Sequence, residues 1–193
     1  MIITIGRQLA AGGRTVGQIL AGQLGLKYFD KELLLESARR SGIADELFLR
    51  ADEHYNLFTL ALKTDTQKLF QFQSDTIRQL AEEGDCLFLG RAADYILRDR
   101  KDLFTVFLSA DMQDRVATVM KKEGMTEEEA AAFIEKTDRR RSDYYNFYTG
   151  KRWGDGNCYD LCLNTSRFGI EGTVEIIKTS VECSERLRFT TLQ

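Results

Sequence analysis

The stretch Ile2-Ile3-Thr4-Ile5-Gly6-Arg7-Gln8-Leu9-Ala10-Ala11-Gly12-Gly13-Arg14-Thr15 decides how this chain folds. Ile2–Ile5 reads as a short apolar strand. A glycine turn follows, and beyond it Val16, Ile19, Leu20 and Leu24 recur at helical spacing. Strand, glycine turn and helix form the architecture that holds phosphate. Glycines let the backbone approach the anion, successive N–H groups point inward, and the positive end of the helix faces the charge. The phosphate-loop pattern is G-x-x-x-x-G-K-[ST]. Its closing positions read Gly13-Arg14-Thr15 here, with arginine in place of lysine, and a leading glycine at Gly6 makes the loop longer than the pattern. Arginine holds phosphate oxygens bidentately, so the exchange alters geometry more than charge. Thr15 keeps a hydroxyl where a magnesium ligand would sit. On local spacing alone, an ordinary strand-to-helix turn fits as well as a phosphate loop.

Outward from this stretch, four more strand-like segments appear: Lys27-Tyr28-Phe29, Cys86 to Leu89, Leu103 to Leu108, and Tyr159 to Leu163. Near-continuous apolar runs suit a parallel sheet covered on both faces, and helical patterns fill every gap, so a doubly wound α/β fold is expected. In such sheets the ligand lies beyond the carboxyl ends of the strands. Asp30, Gly90-Arg91 and Asn164-Thr165-Ser166 stand at those ends with the glycine loop. Polar strand exits are common in any α/β fold, but their convergence strengthens the phosphate-loop reading.

Composition bounds the rest. The 193 residues suggest one domain, over residues 1–183, with 184–193 a short C-terminal extension. A net charge of −3 and a sequence pI near 5.4 argue against a nucleic-acid binder, so a phosphate site must come from local clusters. No apolar run reaches membrane-spanning length and no basic leader precedes the first strand, which points to a cytoplasmic protein without membrane partners. The four cysteines form no C-x-x-C pair, and Cys86 and Cys162 lie in apolar strand segments, which suggests buried free thiols. His54 is the one histidine, which makes a zinc site improbable.

Two helical inserts stand out. The first runs from about 43 to 83. Its stripe Leu69, Phe70, Ile77, Leu80 and Ala81 predicts one long helix over Asp65–Glu83, and Phe48, Phe58 and Phe72 read as core. The second runs from about 124 to 156. Thr126-Glu127-Glu128-Glu129 reads as a capping box. On the helix that follows, Asp138, Arg141, Tyr145 and Tyr148 share one face, and Arg139, Arg140 and Arg141 fan too widely to reach one ligand together. This segment is expected to be a lid bringing arginines onto phosphates; a solvated charged helix is the commoner meaning of such a run. Transfer of a γ-phosphoryl group would draw on Gly12, Gly13, Arg14 and Thr15, on magnesium, and on the lid arginines Arg139, Arg140 and Arg141. The acceptor would sit near Asp30, Gly90, Arg91 and Asp94, although Arg91 and Asp94 are also spaced to pair with each other.

Arg7 to Arg14, Phe29-Asp30-Lys31-Glu32, Gly90 to Leu97, Tyr144 to Gly150, and Trp153-Gly154 through Asn164-Thr165-Ser166 to Gly169-Ile170 together resemble the cytidylate kinase-like proteins of bacteria, over roughly residues 1–180. The resemblance implies a three-layer P-loop kinase fold, with a five-stranded parallel sheet, a helical monophosphate-binding insert and a helical lid. It implies transfer from ATP, with Mg2+, to CMP or dCMP. It places Gly12, Gly13, Arg14 and Thr15 in the phosphate loop, Asp30 at the end of strand two, Gly90-Arg91 at the end of strand three, and Asp138 and Arg141 in the D-x-x-R of the lid. The departures are the missing lysine, Ala10-Ala11 where the family usually has Gly-Ser, no tyrosine-arginine pair after Asp30, and Ala92 where an acid follows Gly-Arg in authentic cytidylate kinases. A kinase with a different small acceptor, or a nucleotide-binding module without transfer activity, are the alternatives. A small dinucleotide-binding oxidoreductase is disfavoured, because Gly12 to Gly17 is not G-x-G-x-x-G.

Overall fold

The computed structural model describes residues 1–30 and 66–191. Five strands, β1 (Ile2–Arg7), β2 (Lys27–Phe29), β3 (Cys86–Leu89), β4 (Leu103–Ser109) and β5 (Leu161–Asn164), form one parallel sheet in the order β2-β3-β1-β4-β5. β1 is central. Its residues Ile2 to Ile5 pair with Cys86 to Leu89 on one side, and Ile2 to Arg7 with Leu103 to Leu108 on the other.

Side chains alternate across each strand, so the two sheet faces seal two cores. On one face Ile3, Ile5, Leu87, Leu89, Val106 and Leu108 pack against α1 (Gly13–Leu24) and α6 (Thr165–Thr191). On the other, Ile2, Cys86 and Phe88 pack against α2 (Thr66–Glu82) and the short α3 (Ala93–Ile96). The apolar stripe of the first insert is real: Ile77, Leu80 and Ala81 of α2 are buried, while Phe70 and Phe72 are half-buried. Phe48, Phe58, His54 and the rest of residues 31–65 lie outside the described residues.

β5 corrects one expectation. Leu161 and Leu163 face the α1–α6 core, but Cys162 is exposed because this edge strand is covered on one face only. Cys86, on an inner strand, is buried; all four thiols are free. β5 also starts later than expected, because Gly156–Cys158 forms a 3-10 turn and Asp160 turns its carboxylate onto the backbone N–H of Thr105 at 2.8 Å. α6 continues to Thr191 and breaks once, at Gly169 (φ 66°, ψ −179°). Among the described residues no helix is long and apolar enough to cross a membrane.

The last layer belongs to the site. α4 (Met112–Glu123) and α5 (Glu127–Thr149) pack together through Val116, Val119, Ala130 and Ile134, with Leu9 and Ala10 of the glycine loop set against them. α5 opens on the expected capping box: Thr126 Oγ1 accepts from Glu129 N at 3.3 Å, and Glu129 Oε2 accepts from Thr126 N at 2.9 Å.

Candidate active site

The loop between β1 and α1 is a backbone cradle. Ala10 (φ 61°) and Gly12 (φ 70°) are left-handed, and Gly12 caps α1 without offering a side chain. The first intrahelical bond runs from Val16 N to Gly12 O at 3.0 Å, so the N–H groups of Gly13, Arg14 and Thr15 precede any intrahelical acceptor. They point to the carboxyl end of the sheet at the positive end of α1. The Thr15 side chain is exposed in that first turn.

Three elements hold the cradle in shape. From the sheet, Gln8 N donates to Leu108 O at 3.0 Å, and Gln8 Oε1 accepts from Ala110 N at 3.2 Å. From the β5–α6 junction, the Thr165 hydroxyl lies 3.2 Å from Ala11 O and 3.1 Å from Ser109 O, and a Cβ at Gly12 would fall 2.4 Å from Ile170 Cδ1. Asn164 and Ser166 engage Asp111, so Asn164-Thr165-Ser166 acts as a clasp behind the loop. From α5, Asp138 Oδ1 accepts from Leu9 N at 2.7 Å and Asp138 Oδ2 pairs with Arg115 Nη2 of α4, whose Nε donates to Leu9 O at 2.8 Å. Arg115 is 5% exposed. The D-x-x-R aspartate is thus spent on the loop backbone, and its arginine follows it there: Arg141 Nη1 donates to Arg7 O at 3.1 Å.

Four arginines meet over the cradle. Arg7 stands at the end of β1, Arg14 on α1, Arg91 after β3 and Arg141 on α5; the charges of the other three all press on Arg7. Burial and these neighbours push the Arg7 guanidinium down to about 9, so it stays cationic at neutral pH but at a cost. Burial lowers Arg141 too, with Arg115 and Arg91 adding to it and Asp138 opposing. Arg14 Nη2 lies 3.3 Å from Asp30 Oδ2, and Asp30 is 6% exposed at the end of β2.

Beyond β3, Gly90 (φ 76°), Arg91 (φ 63°) and Ala92 (φ 54°) form an unbroken left-handed run. Such a conformation costs a non-glycine residue about 1–3 kcal/mol and survives only where the surroundings impose it. Here Gly90 N donates to Ile5 O at 2.9 Å, and Gln73 Nε2 reaches both Arg91 O (2.9 Å) and the Tyr144 hydroxyl (2.8 Å). Tyr144, Tyr148 and Phe70 build an aromatic wall on this side; Phe70 and Tyr148 stack with centroids 4.1 Å apart and 6° between planes. Asp94 does not pair with Arg91. It accepts from the Tyr145 hydroxyl at 2.6 Å, and burial raises its carboxyl above the ordinary range.

The chain matches the model of the cytidylate kinase-like family over residues 2–167. The chain belongs to the cytidylate kinase-like family. It is similar to the cytidylate kinase of Methanopyrus kandleri, 28% identical over 191 residues, which cover 94% of this chain and 93% of that one. Among solved structures it is similar to an uncharacterized protein from Eubacterium ventriosum, at 28% identity and a TM-score of 0.79, over 95% of this chain and 98% of that chain. Shikimate kinase from Bacteroides thetaiotaomicron shares the fold, with a TM-score of 0.56 at 16% identity over 94% and 98% of the two chains. The fold is that of a P-loop kinase, with a five-stranded parallel sheet between helical layers.

Of the residues singled out from the sequence, the structure brings together Gly12, Gly13, Arg14, Asp30, Gly90, Arg91 and Arg141. It leaves Arg139 and Arg140 on exposed positions of α5 and ties Asp94 to Tyr145. Sequence reading passed over Arg7, Arg115, Gln73 and the structural duty of Asp138. Arg7 was hidden because it falls among the loop's variable positions, and Arg115 because one charged residue in an amphipathic helix carries no signal of burial.

Proposed function

We propose that this protein transfers the γ-phosphoryl group of ATP to a nucleoside monophosphate, with CMP or dCMP as the acceptor. The observation that supports this reading best is the meeting of four arginines over an open helix N-terminus at the strand ends. Such a surplus of cations, with Arg7 and Arg141 drawn away from water, suits a ligand carrying several phosphate charges. The family supports a nucleoside-monophosphate kinase, and the relative from Methanopyrus kandleri is a cytidylate kinase.

The donor's phosphates would lie on the N–H groups of Gly13 to Thr15, with Arg14 and Arg141 on their oxygens. The acceptor's phosphate would face them from the side of Arg91, near Gly90 and Asp30. An oxygen of the acceptor phosphate attacks the γ-phosphorus; the new P–O bond forms as the bond to the β–γ bridging oxygen breaks, and ADP leaves. Positive groups around the transferring phosphoryl supply the catalysis, and no proton need move. The donor set fits magnesium carried by nucleotide phosphates: Thr15 offers an exposed hydroxyl and Asp30 a nearby carboxylate, while no cluster of three acidic, histidine or cysteine side chains among the described residues would hold a metal unaided. Bound there, magnesium would neutralise phosphate charge. The Phe70, Tyr144 and Tyr148 wall beside Gln73 would receive the acceptor's base.

The test is ADP production from Mg·ATP with each ribo- and deoxyribonucleoside monophosphate in turn, then with small sugars and alcohols. Acceptor-dependent ADP confined to CMP and dCMP is the expected result. A response to another acceptor would keep the kinase and remove cytidylate. ATP bound without acceptor-dependent ADP would replace the kinase by a nucleotide-binding module.

A further inference from the structure

The phosphate-loop pattern can be laid on this chain in two registers. Closing it on Gly13 puts Arg14 in the lysine's place and leaves the loop too long. Closing it on Gly12 keeps four residues, Gln8-Leu9-Ala10-Ala11, between the end positions, puts Arg7 where the leading glycine belongs, Gly13 where the lysine belongs and Arg14 where the hydroxyl residue belongs, with the Thr15 hydroxyl one residue further on. The second register agrees with the backbone, because the left-handed Gly12 is the residue that caps α1 and the helix begins at Gly13. In this register the cation and the glycine have exchanged ends of the loop.

The side-chain geometry shows the consequence of that exchange. A Cβ at Gly13 would lie 2.8 Å from Arg7 Cγ, 3.1 Å from its Cβ and 3.6 Å from its Cδ. The stem of Arg7 therefore occupies the space that a side chain at position 13 would enter. At the other end, a Cβ at Gly90 would lie 1.9 Å from Arg7 Nη1. Glycine at both positions lets Arg7 run from the end of β1, across the first turn of α1, to the end of β3. No carboxylate among the described residues pairs with it, and its charged neighbours include Arg14, Arg91 and Arg141. Arg14 is differently placed: its side chain is 57% exposed and lies against Asp30.

We propose that Arg7 takes the part of the phosphate-loop lysine, gripping the terminal phosphates of the nucleoside triphosphate from the loop's leading position, with Gly13 left bare to make room for its stem. This rests on the kinase reading above and assigns the cation within it. The planar guanidinium, with its stem along Gly13 and its tip against Gly90, offers a two-pronged grip in a fixed direction, where a lysine would offer a mobile point charge. Arg14, against Asp30, then reaches the same phosphates from the exposed rim.

Calorimetric titration tests the assignment with two probes, Mg·ATP and inorganic tripolyphosphate, on the wild type, Arg7→Ala, Arg7→Lys, Arg14→Ala, Arg7→Gly and the exchange Arg7→Gly/Gly13→Lys. Arg7→Ala should weaken both probes by roughly ten- to a hundredfold, the range for losing a charge-assisted hydrogen bond. Arg14→Ala should weaken them less, Arg7→Lys should keep part of the affinity, and the exchange should recover much of what Arg7→Gly alone loses. Wild-type binding of Mg·ATP with Arg7→Ala unchanged would overturn the assignment and leave the kinase reading standing. Tripolyphosphate held through Arg7 without nucleotide binding would sustain Arg7 and remove the kinase. Binding of neither probe by the wild type would overturn both. If Arg7→Ala fails to fold, the exchange variant decides: affinity within about tenfold of wild type supports the proposal, and a folded exchange variant that binds neither probe defeats it.

Discussion

Single residues at this site work against their own solvation. Arg7, Arg141 and Asp94 all sit where burial disfavours their charged forms. For the arginines an incoming phosphate relieves that cost; for Asp94 the available relief is a proton. Its folded value is raised above the ordinary 3.8, so its contribution is full below that value and is lost as pH rises through the raised folded value. Asp94→Asn keeps an oxygen to accept from Tyr145 and removes the titration. The melting temperature of the variant, measured against wild type at pH 4 and pH 7, should shift in the variant's favour at the higher pH; a constant difference would contradict the buried-carboxylate account. None of this was readable from Asp94 in the sequence, where its spacing to Arg91 suggested a surface pair. The left-handed backbone at Arg91 and Ala92 turns the chain so that Asp94 meets Tyr145 instead.

Elements carried more of their information locally. The helix from Thr66 to Glu82 followed from an apolar stripe, and the start of α5 from Thr126-x-x-Glu129. That cap should be measurable: Thr126→Ala removes the acceptor for Glu129 N and should cost about 1 kcal/mol. The urea midpoint should fall at unchanged slope, and an unmoved midpoint would mean α5 is held by packing alone. What the local pattern could not carry was covering. Cys162 sits in an apolar strand segment, yet it is exposed, because whether an edge strand has a second layer depends on helices distant in sequence. Likewise three arginines in a row look equivalent, and only the docking of α5 sends Arg141 to Arg7 while Arg139 and Arg140 stay outside.

Across the whole molecule, the glycine loop is held from three directions at once, by β4, by the β5–α6 junction and by the α4–α5 pair. The last of these depends on a nearly buried ion pair, Arg115 with Asp138. Removing one partner strands the other charge, so Asp138→Ala should lower stability by about 3–5 kcal/mol and loosen Leu9. The double variant Arg115→Met/Asp138→Leu should lose less, because neither charge is left behind. Denaturation curves for both variants check this; a single-variant loss under about 1 kcal/mol would show that the pair does not hold α5 and the loop together.

By itself the sequence determined the α/β class, the five strands, the glycine loop and the polar residues at the strand ends. All of these are written in short-range periodicity, which backbone geometry translates directly. Tertiary structure decided which cations share the site. Arg7, Arg14, Arg91 and Arg141 come from four separate segments, and a sheet order of β2-β3-β1-β4-β5 is what sets their ends side by side. It also decided that Asp138 would serve the loop backbone and that Gly13 would give its space to Arg7. Those outcomes depend on which atoms compete for one volume and which buried charges find partners, and both are settled only when distant segments pack.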